Sequence, residues 1–149
     1  MNRILFLCSG NYYRSRFAEE VFNFKARAVS SNWSADSRGL RLNPNNAGPI
    51  SEVALRRMEM LRVEPIKGHR SPEIVRETDF ENSAIVIAMS REEHHPLMRK
   101  LFPVYAEHIC YWDVEDTGEM PSDVALQRIE YLVDHLIGDL HIGDTLGKS

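Results

Sequence analysis

A cysteine, a glycine, an asparagine, an arginine and a serine crowd into eight residues near the start of the chain, as Cys8-Ser9-Gly10-Asn11-Tyr12-Tyr13-Arg14-Ser15. Each type has a use in phosphate chemistry. A thiol at a helix N-terminus and beside a guanidinium has its pKa lowered, and the resulting thiolate is a nucleophile near neutral pH. Arg14 carries a planar fork of donors that matches two oxygens of a phosphate. Gly10 and Asn11 tolerate backbone angles that let a loop curl with several N–H groups pointing inward, as an anion-binding nest requires. Ser15 can donate its hydroxyl to the sulfur and ease its charge as a leaving group. A lone Cys at a strand end is more often a buried core residue. The Gly, Asn, Arg and Ser at this spacing reverse that reading.

The positioning elements follow from hydrophobic pattern. Arg3 to Cys8 is a short apolar run stopped by Ser-Gly-Asn, which predicts a buried strand. Ser15 then opens a helical pattern, with Phe17 and Val21, and Ala18 and Phe22, at i,i+4 spacing, and Glu19, Glu20 and Lys25 on the other faces. The loop between strand and helix therefore sits at a helix N-terminus, where unpaired donors and the dipole favour an anion. Asn32 to Ala35 is a weaker second strand, and 38–49 reads as loop. Ser51 is an N-cap for a helix to about Arg62. A short helical piece lies around Glu73 to Arg76. Ala84 to Met89 is the clearest buried strand, followed by a helix from Arg91 to Leu101 that contains Pro96. A fourth strand centres on His108 to Tyr111. A last helix aligns Ile129, Leu132, Val133, Leu136 and Leu140, and the tail from Gly143 has no pattern. Alternating strands and helices predict one α/β domain over residues 1–149, a four-stranded parallel sheet with helices on both faces. Crossover handedness puts the loops after Cys8 and after Trp112 on the same sheet edge.

Bulk composition narrows the partners. A net charge of -4 gives no nucleic-acid footprint, and no apolar stretch approaches the roughly 20 residues that span a bilayer. The start is too briefly apolar for a signal peptide. Two cysteines, Cys8 and Cys110, make no disulfide framework, so a reduced, cytoplasmic protein is expected, with Cys110 in the core. No cluster has metal-ligand spacing. His94 and His95 are adjacent rather than at i,i+4, and read as a solvated helix surface.

Cys-x-Gly-Asn-x-x-Arg-Ser followed by Ala18-Glu19 resembles the signature of the low-molecular-weight protein tyrosine phosphatases, whose fold is flavodoxin-like. Weaker likenesses follow in order: Ser34-Ala35-Asp36-Ser37, Gly68-His69-Arg70-Ser71, Ile85 to Ser90, and Trp112-Asp113-Val114-Glu115-Asp116 where that family has a loop ending in Asp-Pro. The resemblance implies Cys8 as nucleophile and Arg14 with the N–H groups of Ser9, Gly10, Asn11, Tyr12 and Tyr13 as the phosphate cradle. It also implies Ser15 as support for the sulfur and Asp116 as the acid that protonates the leaving group. Asp113 and Glu115 stand beside Asp116 as alternatives. No cofactor or metal is implied. The expected substrates are a phosphotyrosine protein or a small phosphoester, with phosphate, sulfate or vanadate as ligands of the site.

Four departures bear on specificity. Tyr13 stands where many members carry a second loop Cys, so protection of Cys8 by a loop disulfide is unavailable. Tyr12 replaces a smaller residue, commonly Ile, or Thr in the arginine-phosphate phosphatases. Asp116 precedes Thr117-Gly118 instead of Pro and aromatics, and Arg16 replaces a Pro and could attract an anionic substrate. The competing expectations are a non-catalytic phosphate- or phosphoprotein-binding module, a phosphoarginine phosphatase, and an arsenate reductase, which would need two further cysteines.

Overall fold

The structure, a computed structural model, describes residues 2–147, with side chains to residue 141. Strands β1 (Arg3–Cys8), β2 (Ser34–Gly39), β3 (Ile85–Ala88) and β4 (Cys110–Tyr111) form one sheet in the order β2-β1-β3-β4. Every pairing is parallel. The helices are α1 (Arg14–Ala28), α2 (Glu52–Met60), α3 (Glu77–Glu81), α4 (Arg91–Leu101) and α5 (Ser122–Gly147).

β1 is central, and its alternating side chains feed two cores. Ile4, Phe6 and Cys8 face α1, α2 and α5, while Leu5 and Leu7 face Phe80 of α3 and Met98 of α4. All of these β1 side chains are essentially buried, as a parallel strand covered on both faces requires. Phe17, Ala18, Val21 and Phe22 of α1 are fully buried too. Each large aromatic in that layer contributes about 1.5–3 kcal/mol relative to exposure. Phe6 touches Phe22 at 6.2 Å between ring centroids and Trp112 at 5.5 Å. One ring thus locks the strand that ends in Cys8 to the segment that leads into Asp113.

The predicted topology holds, and several local expectations change. β2 begins two residues later than expected and runs to Gly39, paired along the whole of β1. Its charges are tolerated because it is an edge strand: Asp36 pairs with Arg3 and Arg38, and Arg38 also meets Glu73 and Asp79. The helical piece expected at Glu73 to Arg76 is instead extended, with Ile74 bridging Gly39, and α3 starts at Glu77. The Asp79 carboxylate accepts the Arg76 N–H at 2.9 Å and so sets that start. Pro96 does not interrupt α4. α5 continues past Gly143 to Gly147, because adding one residue to a formed helix costs little once it is nucleated. Cys110 is exposed rather than core, since β4 is a two-residue edge strand.

The largest correction concerns α1. Glu19, Glu20 and Arg16 are not on a solvated face but fully buried. The turn at 65–70 folds over them. Arg16 Nη1 donates to Glu19 Oε1 at 2.8 Å and its Nη2 to the Lys67 carbonyl at 2.6 Å. Glu20 accepts the backbone N–H groups of Ile66 and Lys67 at 2.9 and 3.0 Å. Arg16 therefore pins a turn and is not available to an incoming anion. Removing one member of a buried ion cluster leaves the others uncompensated. Arg16→Ala is expected to cost about 3–5 kcal/mol of unfolding free energy, read from urea denaturation.

Candidate active site

β1 ends at Cys8 and α1 starts at Arg14, so the loop between them has to turn within five residues. Asn11 makes that turn with φ of 51°, a left-handed conformation that Asn tolerates better than most residues. The turn brings the Asn11 N–H to 3.3 Å from Cys8 Sγ. Its buried amide then organises the neighbourhood. Nδ2 donates to Ser15 Oγ at 3.0 Å and to Ser37 Oγ at 2.9 Å, and Oδ1 accepts from the Glu73 N–H at 3.0 Å and Arg70 Nη1 at 3.2 Å. Ser15 Oγ lies 2.9 Å from Cys8 Sγ. That hydroxyl accepts from Asn11 and keeps its own hydrogen free to donate to a Cys8 thiolate. No side chain caps the start of α1 and its first turn carries no acid, which leaves its N–H groups for an anion.

Arg14 is buried and held at both ends of its fork. Nη1 donates to the Val114 carbonyl at 3.0 Å, and Nη2 to Glu93 Oε2 at 2.9 Å. Burial works against its charge, but the Glu93 hydrogen bond and the nearby Cys8 and Asp116 raise its pKa further. Glu93 Oε2 also accepts from the Ser9 hydroxyl. His94 Nδ1 accepts the Ser90 N–H at 3.0 Å, so the neutral ring carries its proton on Nε2. That nitrogen faces Glu93 Oε2 at 3.0 Å and Ser9 Oγ at 3.2 Å. Burial pushes the Glu93 carboxyl up, yet the hydrogen bonds from His94, Arg14 and Ser9 outweigh it and hold the group well below the usual carboxylate range.

Cys8, Ser9, Gly10 and Arg14 open into a cavity of about 220 Å³ that Asp116 also lines. Of the three candidate acids, Asp116 is the one in this cavity. Asp113 is exposed and pairs with Arg128 at 3.1 Å, and Glu115 accepts from Ser90 Oγ at 2.8 Å. Tyr12 and Tyr13 form walls of the cavity. The Tyr12 hydroxyl donates to the Ala47 carbonyl at 2.5 Å, and that of Tyr13 to the Ser122 carbonyl at 3.4 Å. Burial, then Asp116 and Asp123, push the Tyr13 phenol up to about 12 against the pull of Arg14, so it stays neutral. Gly39 packs tightly against the loop: a Cβ there would lie 2.8 Å from the Ser9 carbonyl and 3.1 Å from Asn11 Cβ. Cavities of about 400 Å³ beside Trp33 and about 490 Å³ beside Arg76 are larger but are lined by no cysteine.

Every residue predicted for the cradle is thus brought to one place, and Asp116 joins it from across the sheet edge. Glu93, His94, Ser37, Glu19 and Arg70 were not anticipated. His94 is fully buried at the site and not on a solvated helix surface. Ser90 and Glu93 have the spacing of a capping box, and Ser90 Oγ does accept the Glu93 N–H at 3.1 Å, but the Glu93 side chain turns to Arg14 instead of back to Ser90.

The family model for low molecular weight phosphotyrosine protein phosphatase matches residues 3–125. The chain belongs to this family. It is similar to the low molecular weight protein tyrosine phosphatase of T. tengcongensis, at 30% identity over 93% of this chain and 99% of that one, with a TM-score of 0.78. YfkJ from Bacillus subtilis shares the fold at 22% identity, a TM-score of 0.81 and 96% coverage of each chain. So does the YwlE arginine phosphatase from Geobacillus stearothermophilus, at 22% identity and a TM-score of 0.77, over 97% of this chain and 96% of that one. No curated protein sequence matches the chain. This phosphatase-family protein is therefore a hydrolase of the cysteine-dependent class. Among the described residues no helix is long and apolar enough to cross a membrane.

The depressed Glu93 carboxyl makes a pH prediction. Its contribution to stability is complete above the unfolded carboxylate pKa of about 4.3 and is lost as pH falls through the lower folded value. Glu93→Gln should be less stable than wild type at pH 7, and the gap should narrow below about pH 4 in denaturation curves.

Proposed function

We propose that this protein hydrolyses aryl phosphate monoesters, with phosphotyrosine in proteins as its substrate, through a cysteinyl-phosphate on Cys8. The observation that carries the reading is the arrangement of one sulfur, one guanidinium and one acid in a single cavity. Cys8 Sγ has Ser15 Oγ at 2.9 Å and the Asn11 N–H at 3.3 Å, and Arg14 and Asp116 line the same space.

In the first step the Cys8 thiolate attacks phosphorus, forming the S–P bond as the ester P–O bond breaks. Asp116 gives its proton to the departing oxygen. Arg14 and the loop N–H groups hold the three equatorial oxygens, where charge accumulates. In the second step water attacks phosphorus and passes a proton to the Asp116 carboxylate. The S–P bond breaks, and Cys8 returns as thiolate stabilised by Ser15 and the Asn11 N–H. Tyr12 and Tyr13, anchored through their hydroxyls, supply the aromatic walls for a phenyl ring. A reduced compartment such as the cytoplasm suits this chemistry, because no second cysteine lines the cavity to protect Cys8.

Cys8→Ser is expected to abolish turnover of p-nitrophenyl phosphate, and vanadate should compete with substrate in wild type. Asp116→Asn should slow esters of poor leaving groups about 10²- to 10⁴-fold while sparing those of good leaving groups. The same leaving-group dependence from Asp113→Asn would move the acid assignment to that residue.

A further inference from the structure

Arg41 is the unusual cation of the cavity. Its backbone N–H donates to the Ser9 carbonyl at 2.9 Å, which fixes its position beside the cysteine loop, and it lines the same cavity as Asp116. Other arginines around the loop carry carboxylate partners: Arg38 meets Asp36, Glu73 and Asp79, and Arg70 meets Glu19 and Glu73. Arg14 carries Glu93 on one arm of its fork. Arg41 is exposed, and no carboxylate pairs with it among the described residues. Asn46, a second donor lining the cavity, reaches to 3.8 Å from the Cβ position of Gly10.

A phosphate seated on the nest would use Arg14 and the backbone donors. The unpaired guanidinium then faces whatever adjoins the phosphorylated ring. The chain as a whole is acidic, with a net charge of -4, so attraction for an acidic partner has to be local. We infer that Arg41 selects aryl phosphates bearing a second anionic group, namely a phosphotyrosine with an acidic residue adjoining it in the peptide. The inference rests on the phosphatase reading and deepens it by naming the substrate class.

The test uses two phosphotyrosine peptides that differ only in Glu or Gln beside the phosphotyrosine. In wild type at low salt, kcat/KM should favour the Glu peptide about two- to fivefold, as an exposed ion pair allows. The advantage should shrink as ionic strength approaches 1 M, where the screening length falls to about 3 Å. Arg41→Gln should bring the ratio to about one, and Arg41→Lys should keep part of it. Equal kcat/KM for the two peptides in wild type would overturn the inference. So would an equal loss toward both in Arg41→Gln, which would place the guanidinium on the phosphate itself. Titrating the same peptides into Cys8→Ser protein reads the preference as affinity without turnover. Failure of wild type to hydrolyse p-nitrophenyl phosphate would sink the phosphatase reading, while the titration still decides the role of Arg41.

Discussion

Asn11 has no exposure to solvent, and all of its side-chain hydrogen-bonding capacity is spent inside the protein. Its left-handed backbone turns one N–H to the sulfur, and its amide fixes the hydroxyl that also meets the sulfur. The remaining contacts run outward, to β2 through Ser37 and to the 70–73 segment through Arg70 and Glu73. The loop geometry therefore depends on three chain segments being folded around one amide. In a buried setting an unmade partner costs more than a made one contributes, so the network favours one loop conformation over a mixture.

Beneath that amide lies a set of charges that a solvent-facing helix would never need. Arg70 Nη2 donates to Glu19 Oε1 at 3.0 Å and to Ser37 Oγ at 2.8 Å, and Glu19 also meets Arg16. Lys67 Nζ stands 3.1 Å from Glu19 Oε2, an ion pair without hydrogen-bond geometry, because that oxygen has no donor aligned on it. Such a cluster contributes little net stability compared with an apolar core, but it cannot lose one member cheaply. Its effect is to tie the turn at 65–70 to α1, and so to hold Arg70 under the loop. Glu93 sets a similar compromise on the other side. It orients Arg14 and Ser9 together, at the expense of cancelling part of the positive charge that Arg14 brings to the cavity.

The short-range parts of the site were legible because they are short-range. Cys8 to Ser15, the strand before them and the helix after them all lie within one βα unit, and residue type plus spacing suffices there. The parallel sheet was legible from alternation of apolar runs. What went unread has its partners far along the chain: Glu93 is 79 residues from Arg14, His94 is 85 from Ser9, and Lys67 is 51 from Arg16. No periodicity marks those pairs. Glu19 and Glu20 read as falling on the polar faces of the helix, and Arg16 as a charge open to an anion, since charge at a helical spacing is usually solvated. Cys110 looked buried because its neighbours in sequence are apolar, although the strand it joins is an edge.

The sequence alone brought Cys8, Arg14 and Ser15 forward as candidates, because a strand-to-helix turn gathers its free N–H groups at one helix end. Tertiary structure decided which of the candidate acids reaches the cavity. Asp113, Glu115 and Asp116 are equivalent by type and spacing, and they separate because Arg128 takes the first, Ser90 the second, and the cavity receives the third. It also decided that Arg16 holds a turn while Arg41 lines the cavity with its surface exposed. The physical reason is the same in each case: a charged side chain goes where its partners are, and those partners are set by the packing of distant segments.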